Sequence, residues 1–236
     1  MFSVSASPNT LTVPSYEKTK KNLKNYVYTK YKQTFYCQCK FEAQHMKITK
    51  PLNCAQGLLK HNEQETQFEK TEVNWEHIVP VSRFQPKTYS KEAHIKSIEI
   101  SLRFSHKTSL FNLMKSDPHN IVPAHAQTNL KRGRKKLLPI NNHKKNDSLC
   151  GLKISSFEKK AEPNLSIRGW IARAHLYMSA AYPEVIQLTS EEKQTYQNWH
   201  HAHPPGPQEI SAIKKSEQIW SHTSKHVSYF SPFFFL

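Results

Sequence analysis

The chain has 236 residues, with 34 Lys and Arg against 18 Asp and Glu, so its formal net charge is +16 at pH 7. This length suits one large domain or at most two small ones, and we favour one. So positive a chain indicates a polyanionic partner, with nucleic acid the leading candidate, although an anionic membrane, a heparin-like polymer or a merely soluble basic surface would also fit. No stretch approaches the roughly 20 consecutive apolar residues of a membrane-spanning helix, so we expect a soluble or peripheral protein.

The chain is predicted to start with a flexible lead, residues 1–14, followed by one domain over residues 15–230 and a tail at 231–236. The lead has neither the basic segment nor the long apolar run of a secretory signal, so such a signal either was removed or never existed. From Ser15, apolar and aromatic residues recur at helical spacing among lysines, as Leu23 and Val27 do. This pattern predicts an amphipathic helix with its polar face in water.

The segment TFYCQCKF, residues 34–41, has the alternation and the aromatic content of a strand. Cysteines occur at Cys37, Cys39, Cys54 and Cys150, an even number that suits two disulfides in three possible pairings, or four buried thiols. The C-x-C spacing disfavours a structural zinc site. On a strand Cys37 and Cys39 would share a face and could not readily bond each other. We therefore predict that Cys37 pairs with Cys150 and Cys39 with Cys54.

The last third of the chain is predicted to be helical. The segment 166–182 places a stripe of large apolar residues on one face, as expected of a core helix that ends before Pro183. Thr189 and Glu192 have the spacing of a capping box, and a final helix is predicted from Pro207 to about His222. Because strands lie early and helices late, the fold class is predicted to be α+β.

The block NWEHIVPVSRF, residues 74–84, places a carboxylate, Glu76, beside a neutral base, His77. Histidine titrates near neutrality and can deprotonate water, and a carboxylate is a ligand for a hard divalent ion. Neighbouring residues on a flat strand point to opposite faces, so both can serve one site only if the backbone bends here. Pro80 indicates that regular strand pairing stops soon afterwards. Alone, such a pair would usually be a surface or capping feature.

A second block, DPHNIVPAHAQTNLKR, covers residues 117–132, and we predict a helix from Ala124. Asn129 and Arg132 are three residues apart and would share a helix face. That face could present an amide oxygen to a metal and a guanidinium to a scissile phosphate. Four further cations could contact a nucleic-acid backbone without reading its sequence. They are Lys131, Arg134, Lys135 and Lys136.

These two blocks, together with TFYCQCKF and EKKAEPNLSIRGWIARAHLYM, resemble the endonuclease I family of bacterial nucleases over about Ser15 to Phe230. The resemblance implies an α+β single domain with a ββα-metal (His-Me finger) core and surrounding helices. It implies a monomeric endonuclease that cuts DNA and RNA without sequence preference and leaves 5′-phosphates. It also implies one Mg²⁺, or another divalent cation such as Mn²⁺ or Ca²⁺, in each site. The predicted disulfides would in turn imply a periplasmic or secreted location.

Matching positions in the family's motifs imply a role for each site residue. His77 would be the general base, and Glu76 and Asn129 would hold the metal ion. Arg132 matches an arginine that follows the metal-binding asparagine, and Arg103 is the arginine left to stand in for the family's product-phosphate ligand. Two further residues match positions that buttress the site. They are His119 and Asn120.

The sequence also departs from the family pattern. Leu130 and Lys131 replace the glycine and aspartate that usually follow the metal-binding asparagine, and Lys115 stands where many members have an acidic residue. These departures favour one alternative, a catalytically impaired nucleic-acid-binding protein that keeps the nuclease fold. A zinc-organised binding module is a third possibility.

Overall fold

The structure, a computed structural model, describes residues 15–49, 71–84, 110–141 and 147–221. Arg103, Cys54 and the predicted lead and tail lie outside these ranges. Six helices are described: α1 (Tyr16–Asn25), α2 (Leu110–Ser116), α3 (Ala126–Arg132), α4 (Leu165–Ala181), α5 (Ser190–Ala202) and α6 (Pro207–Ser221). None of the described helices is both long and apolar enough to cross a membrane. Short 3₁₀ turns lie at Val27–Thr29, Val81–Arg83 and Pro118–Asn120.

The described strands form three small sheets, so the predicted α+β class is confirmed. They are β1 (Phe41–Glu42), β2 (Lys47–Ile48), β3 (Val73–His77), β4 (Ile121–His125), β5 (Lys136–Leu137), β6 (Asp147–Leu149), β7 (Leu152–Ser155) and β8 (Lys160–Glu162). Strands β1 and β2 pair, β3 and β4 pair, and the third sheet has the order β5-β8-β7-β6. In that sheet β5 and β8 are parallel, while the other neighbours are antiparallel.

The antiparallel pair β3 and β4 lies at the centre of the fold, and α3 begins directly after it. Every residue of β4 is buried. Val122 joins a hydrophobic cluster with Ile171 of α4, whereas Ile121 joins a second cluster with Leu23 of α1. Because successive strand residues point to opposite faces, the two-stranded unit is covered by helices on both sides.

Helices predicted from local sequence signals are confirmed. In α1 the Ser15 hydroxyl caps the helix by accepting from the Lys18 N–H, and Leu23 is fully buried. The capping box forms at the start of α5, where the side chains of Thr189 and Glu192 bond reciprocally to backbone N–H groups. These helices were predictable because their signals lie within a few residues of one another.

The prediction that TFYCQCKF forms a strand was wrong. Residues 35–37 form a turn, Gln38 has φ 54°, and the strand begins only at Phe41. The Thr34 N–H donates to the Cys39 carbonyl over 2.9 Å, which closes the reversal. A left-handed residue reverses the chain direction, so the side chains of this segment do not alternate between two faces.

The predicted helix start at Ala124 was two residues too early. Strand β4 continues through His125, and its Pro123 lies opposite Trp75 while the Pro123 carbonyl accepts from the Phe35 N–H. The helix ends at Arg132, because Gly133 follows with φ 50°. Proline is tolerated in β4 because the position needs an acceptor there, not a donor.

A disulfide joins Cys37 to Cys150, with a Cα–Cα distance of 4.7 Å across 113 residues of sequence. It ties the turn at residues 35–37 to the turn between β6 and β7 in the third sheet. The predicted partner of Cys39 is Cys54, which lies outside the described residues, so that second pairing stays a prediction.

Gly169 in α4 offers a test of the close approach between α4 and the end of α5. A Cβ added there would lie 2.0 Å from the backbone oxygen of His203 and 2.6 Å from Arg173 Nη2. Helix propensity alone favours Ala over Gly by about 1 kcal/mol. We expect Gly169→Ala instead to reduce the free energy of unfolding by about 2 kcal/mol or more, because a backbone atom must move.

Urea denaturation measures this change, and Gly206→Ala is the matched control. Nothing lies within 4 Å of a Cβ built at Gly206, so that variant should stay within about 0.5 kcal/mol of the wild type. Equal stability of the two variants would contradict the described contact.

Candidate active site

Helix α3 lies across β3, with two side-chain contacts along the seam. The Asn129 Nδ2 donates to Asn74 Oδ1 over 2.8 Å, and the Arg132 Nη1 donates to Glu76 Oε1 over 2.7 Å. Asn74 and Glu76 share a strand face because they are two residues apart, and Asn129 and Arg132 share a helix face because they are three apart. The structure therefore brings both predicted metal ligands, Glu76 and Asn129, to one seam.

Glu76 is a buried carboxylate with one oxygen anchored. It is 5% exposed, and its Oε1 accepts from the Tyr36 hydroxyl over 2.7 Å as well as from Arg132. Among the described residues no side-chain hydrogen bond reaches Oε2. Burial raises the pKa of Glu76 above its usual value, and the charge of Arg132 and the hydrogen bond from Tyr36 oppose that rise. The backbone of His77 donates a further hydrogen bond to this carboxylate, which thus has a fixed orientation.

Asn129 is half-buried at the same seam. Its Nδ2 donates to Asn74 and also lies 3.5 Å from the carbonyl of Trp75. Because the two amide hydrogens of Asn129 point towards β3, its amide oxygen points away from these acceptors. Asn74 therefore determines which end of the Asn129 amide is presented as a ligand.

These two side chains fit a hard divalent cation. Carboxylate and amide oxygens are the donors that Mg²⁺ and Ca²⁺ prefer, and Mg²⁺ usually keeps several waters beside one or two protein ligands. The described ranges contain no group of three or more His, Cys, Asp and Glu side chains that could hold a metal. A site here would consequently be an open one, with Glu76 and Asn129 as its protein ligands.

Arg132 lies inside the protein, although the sequence predicted that it binds the scissile phosphate. Its guanidinium is 1% exposed and donates to Glu76, to the His77 carbonyl over 2.8 Å and to the Ile78 carbonyl. While it makes these contacts it cannot reach a phosphate in solvent. The arrangement makes Arg132 the partner that orients Glu76 and secures the end of β3.

His77 is oriented as a neutral base. Its Nε2 lies 2.9 Å from the Lys115 carbonyl, an acceptor only, so Nε2 carries the proton and Nδ1 is the lone-pair nitrogen. The ring stacks on Tyr16 with a centroid distance of 5.3 Å and meets the edge of Phe84. The pKa of His77 is lowered to about 4, mainly by burial, and the charges of Lys115 and Arg132 act in the same direction. At neutral pH the imidazole is therefore unprotonated at Nδ1.

Regular strand pairing continues through both members of the Glu76 and His77 pair, since His77 still lies opposite Ile121. The bend that would turn both side chains towards one site is therefore absent at this pair, and strand alternation directs Glu76 and His77 to opposite faces of β3. The backbone bends one residue later, at Ile78 and Val79. There the Asn120 side chain makes the hydrogen bonds that a partner strand would otherwise make. Its Oδ1 accepts from the Val79 N–H, and its Nδ2 donates to the Val79 carbonyl. Asn120 thus holds the chain where it leaves the strand, which suits the buttressing role implied by its motif position.

His119 belongs to a separate buried network below the site. Its Nδ1 lies 2.9 Å from Asp117 Oδ1, and Asp117 Oδ2 accepts from the hydroxyls of Tyr177 and Tyr182. Burial and the nearby carboxylate of Asp117 raise the pKa of both tyrosines. The network attaches the turn before β4 to α4, so the contacts of His119 stabilise the fold around the site.

The cations at and after the end of α3 differ in the contacts that their side chains make. The Lys135 Nζ donates to the Lys131 carbonyl over 2.9 Å, and the Lys136 Nζ pairs with Glu192 at 3.1 Å. Arg134 is exposed. The helix ends at Arg132, so Arg134 and the two lysines after it lie beyond α3.

Three residues that sequence reasoning missed contact the candidate ligands and base. Asn74 could have been found, because it lies two positions before Glu76 and strand alternation places both on one face. Tyr36 and Tyr16 contact Glu76 and His77 across long stretches of sequence. The motifs carry no signal for such contacts.

The sequence is similar to several known proteins. The family model described as Endonuclease I matches residues 15–220. An extracellular deoxyribonuclease of Aeromonas hydrophila is 26% identical over 205 residues, 86% of this chain and 85% of that protein. A periplasmic deoxyribonuclease of the same organism is 23% identical, covering 85% and 80% of the two chains. Endonuclease-1 of Buchnera aphidicola is 29% identical over 168 residues, 70% of this chain and 62% of that protein.

Replacing Arg132 tests whether its guanidinium is a buried partner of Glu76. We expect Arg132→Met to reduce the free energy of unfolding by about 3–5 kcal/mol, because a buried carboxylate loses its counter-charge. Adding Glu76→Gln should recover part of that loss, since a neutral amide needs no counter-charge.

The measurement is urea denaturation at neutral pH, with Arg134→Met as the control. Arg134 is exposed, so its replacement should change stability by no more than about 0.5 kcal/mol. If the Arg132 variant were as stable as this control, the guanidinium would have to lie in solvent.

Proposed function

Since the chain belongs to the endonuclease I family, we propose that it is a metal-dependent endonuclease that hydrolyses phosphodiester bonds in DNA and RNA. We propose further that it has no sequence preference and leaves 5′-phosphates. The supporting observation is the seam between β3 and α3, where the side chain of Glu76 lies against α3 and that of Asn129 lies against β3, the strand that also carries His77. Relatives named deoxyribonuclease and endonuclease support the same reaction class.

Glu76 and Asn129 would hold a single Mg²⁺, or another divalent ion such as Mn²⁺ or Ca²⁺. When bound, such an ion neutralises charge that develops on the phosphoryl oxygens and on the leaving 3′ oxygen. The protein orients both ligands beforehand, because Tyr36 and Arg132 hold Glu76 and Asn74 holds Asn129. Ligands whose rotamers are fixed by hydrogen bonds need no rearrangement to bind the ion.

His77 would remove a proton from the attacking water through Nδ1. The water oxygen bonds to phosphorus, the bond from phosphorus to the 3′ oxygen breaks, and the departing oxygen takes up a proton from solvent. The Lys115 carbonyl maintains the required tautomer by accepting the hydrogen bond from Nε2. The lowered pKa of His77 keeps the base unprotonated at neutral pH.

Low sequence preference follows from the charge of the chain. A net charge of +16 favours contacts with the phosphate backbone, and such contacts carry no base information. DNA and RNA share this backbone charge, so the proposal includes both substrates.

We propose a periplasmic or secreted location. Relatives are named extracellular and periplasmic deoxyribonucleases, and the Cys37–Cys150 disulfide suits an oxidising compartment.

Plasmid digestion tests the activity. We expect nicking with Mg²⁺ and none with EDTA, and we expect His77→Ala to lower the rate by about 10²–10⁴-fold, as removal of a general base does. Glu76→Gln should require a higher Mg²⁺ concentration, because a carboxylate ligand is lost. His201→Ala, which replaces an exposed histidine of α5, is the control and should cleave normally.

Different outcomes separate the candidate functions. DNA binding without nicking would support the catalytically impaired binding protein, and nicking unchanged by His77→Ala would exclude the assigned base. Zinc in the purified protein at one atom per chain would support the zinc-organised module. Fragments that ligate without prior phosphorylation would carry the proposed 5′-phosphates, and a folded RNA substrate under the same conditions tests the RNA activity.

A thiol count tests the location and the second disulfide. The denatured, unreduced chain should show no free thiol, and reduction should release all four that the sequence contains. Two free thiols before reduction would leave only the Cys37–Cys150 bond. Four would contradict an oxidising compartment.

A further inference from the structure

The buried position of Arg132 removes one of the two cations predicted to bind the substrate phosphate, and the other, Arg103, lies outside the described residues. The Arg132 guanidinium is 1% exposed and is occupied by Glu76 and by two backbone carbonyls. A phosphodiester that approaches His77 still needs a positive group to offset its charge. The basic side chains closest to the base are therefore the ones to consider.

Lys115 contacts the general-base region in two ways. Its carbonyl accepts the hydrogen bond from His77 Nε2 over 2.9 Å, and its Nζ lies 5.1 Å from the centre of the Tyr16 ring. The same Tyr16 ring stacks on His77 with a centroid distance of 5.3 Å. One aromatic ring thus has the imidazole and the ammonium group against it, which places a cation beside the base.

A second lysine approaches the same ring. The Lys20 Nζ lies 4.8 Å from the Tyr16 centroid, and Lys20 also forms an ion pair with Glu17 at 2.7 Å. Lys115 differs, because no carboxylate of the described residues lies within ion-pairing distance of its ammonium group. A half-buried cation that is stabilised only by an aromatic ring remains able to bind an anion strongly.

The charge around this ring is therefore unbalanced. Glu17 offsets Lys20, and Arg132 offsets Glu76. The charge of Lys115 is left uncompensated within the described site. An anionic ligand beside His77 would complete the balance, and a non-bridging phosphate oxygen has the required charge and size.

We propose that Lys115 binds a non-bridging oxygen of the substrate phosphodiester beside His77, while Tyr16 positions both side chains. The proposal rests on the proposed nuclease function for the identity of the polyanion. Lys115 is a phosphate-binding residue in this account and takes no part in proton transfer. Lys20 adds a smaller contribution, because its charge is shared with Glu17.

Equilibrium binding to a short fluorescent DNA duplex tests the proposal without cleavage. The full-length chain is titrated in EDTA at several salt concentrations, and fluorescence anisotropy gives Kd at each. Lys115→Met removes the charge but keeps the backbone carbonyl that orients His77. Lys115→Arg keeps the charge, and Lys193→Met removes one exposed charge on α5, far along the chain from the site.

We expect Lys115→Met to weaken binding about 3- to 10-fold near 0.1 M salt. The slope of log K against log salt should become shallower by about 0.9, because one phosphate contact is lost. Lys115→Arg should retain the wild-type slope. Lys193→Met should change Kd by less than about twofold, because its charge is not part of the proposed phosphate contact. A merely structural role for Lys115 would not change the slope by one contact.

The outcomes separate this proposal from the proposed function. A wild-type slope in Lys115→Met, with the wild-type chain binding DNA, would overturn the Lys115 assignment alone. A wild-type chain that does not bind DNA would overturn the proposed function and this assignment together. Circular dichroism of each variant verifies folding, and Lys115→Arg retains a folded comparison if Lys115→Met loses stability.

Discussion

The buried ion pair between Arg132 and Glu76 is the interaction on which the candidate site depends. It joins α3 to β3, and the same guanidinium also binds the carbonyls of His77 and Ile78 at the strand end. Burying two charges costs desolvation energy that their attraction seldom exceeds by much. The ion pair instead orients the Glu76 carboxylate, because one of its oxygens is held by Arg132. It also holds α3, which carries Asn129, against β3.

Because Arg132 is buried, the cations of the chain are of two kinds, internal and exposed. An internal cation stabilises the ligand carboxylate and is shielded from substrate, whereas cations at the surface remain available to a polyanion. Lys115 lies between these two groups, because its backbone orients His77 and its side chain lies over Tyr16. The departure from the family pattern at Lys115 thus still leaves a backbone carbonyl that orients the His77 ring.

Much of the fold could be predicted where its causes are local. The amphipathic pattern of α1, the capping box of α5 and the three-residue spacing of Asn129 and Arg132 each depend on neighbours within one or two turns. The sequence predicted that Arg132 binds a phosphate at the surface, whereas its side chain is buried. Helical spacing shows which residues share a face, and it does not show whether that face meets a strand or solvent.

The turn at residues 35–37 shows most clearly why the rest could not be predicted. Alternating aromatic and cysteine residues favour a strand. Glutamine has no preference for a left-handed backbone, so the conformation of Gln38 could not be predicted. In the turn, however, the Tyr36 hydroxyl reaches Glu76 while Cys37 Sγ lies 3.3 Å from the Thr128 hydroxyl of α3. The Cys37–Cys150 disulfide therefore holds one segment that supports both sides of the seam. A regular strand would send these two neighbouring side chains to opposite faces, so the local rule fails at the place where the site needs both of them.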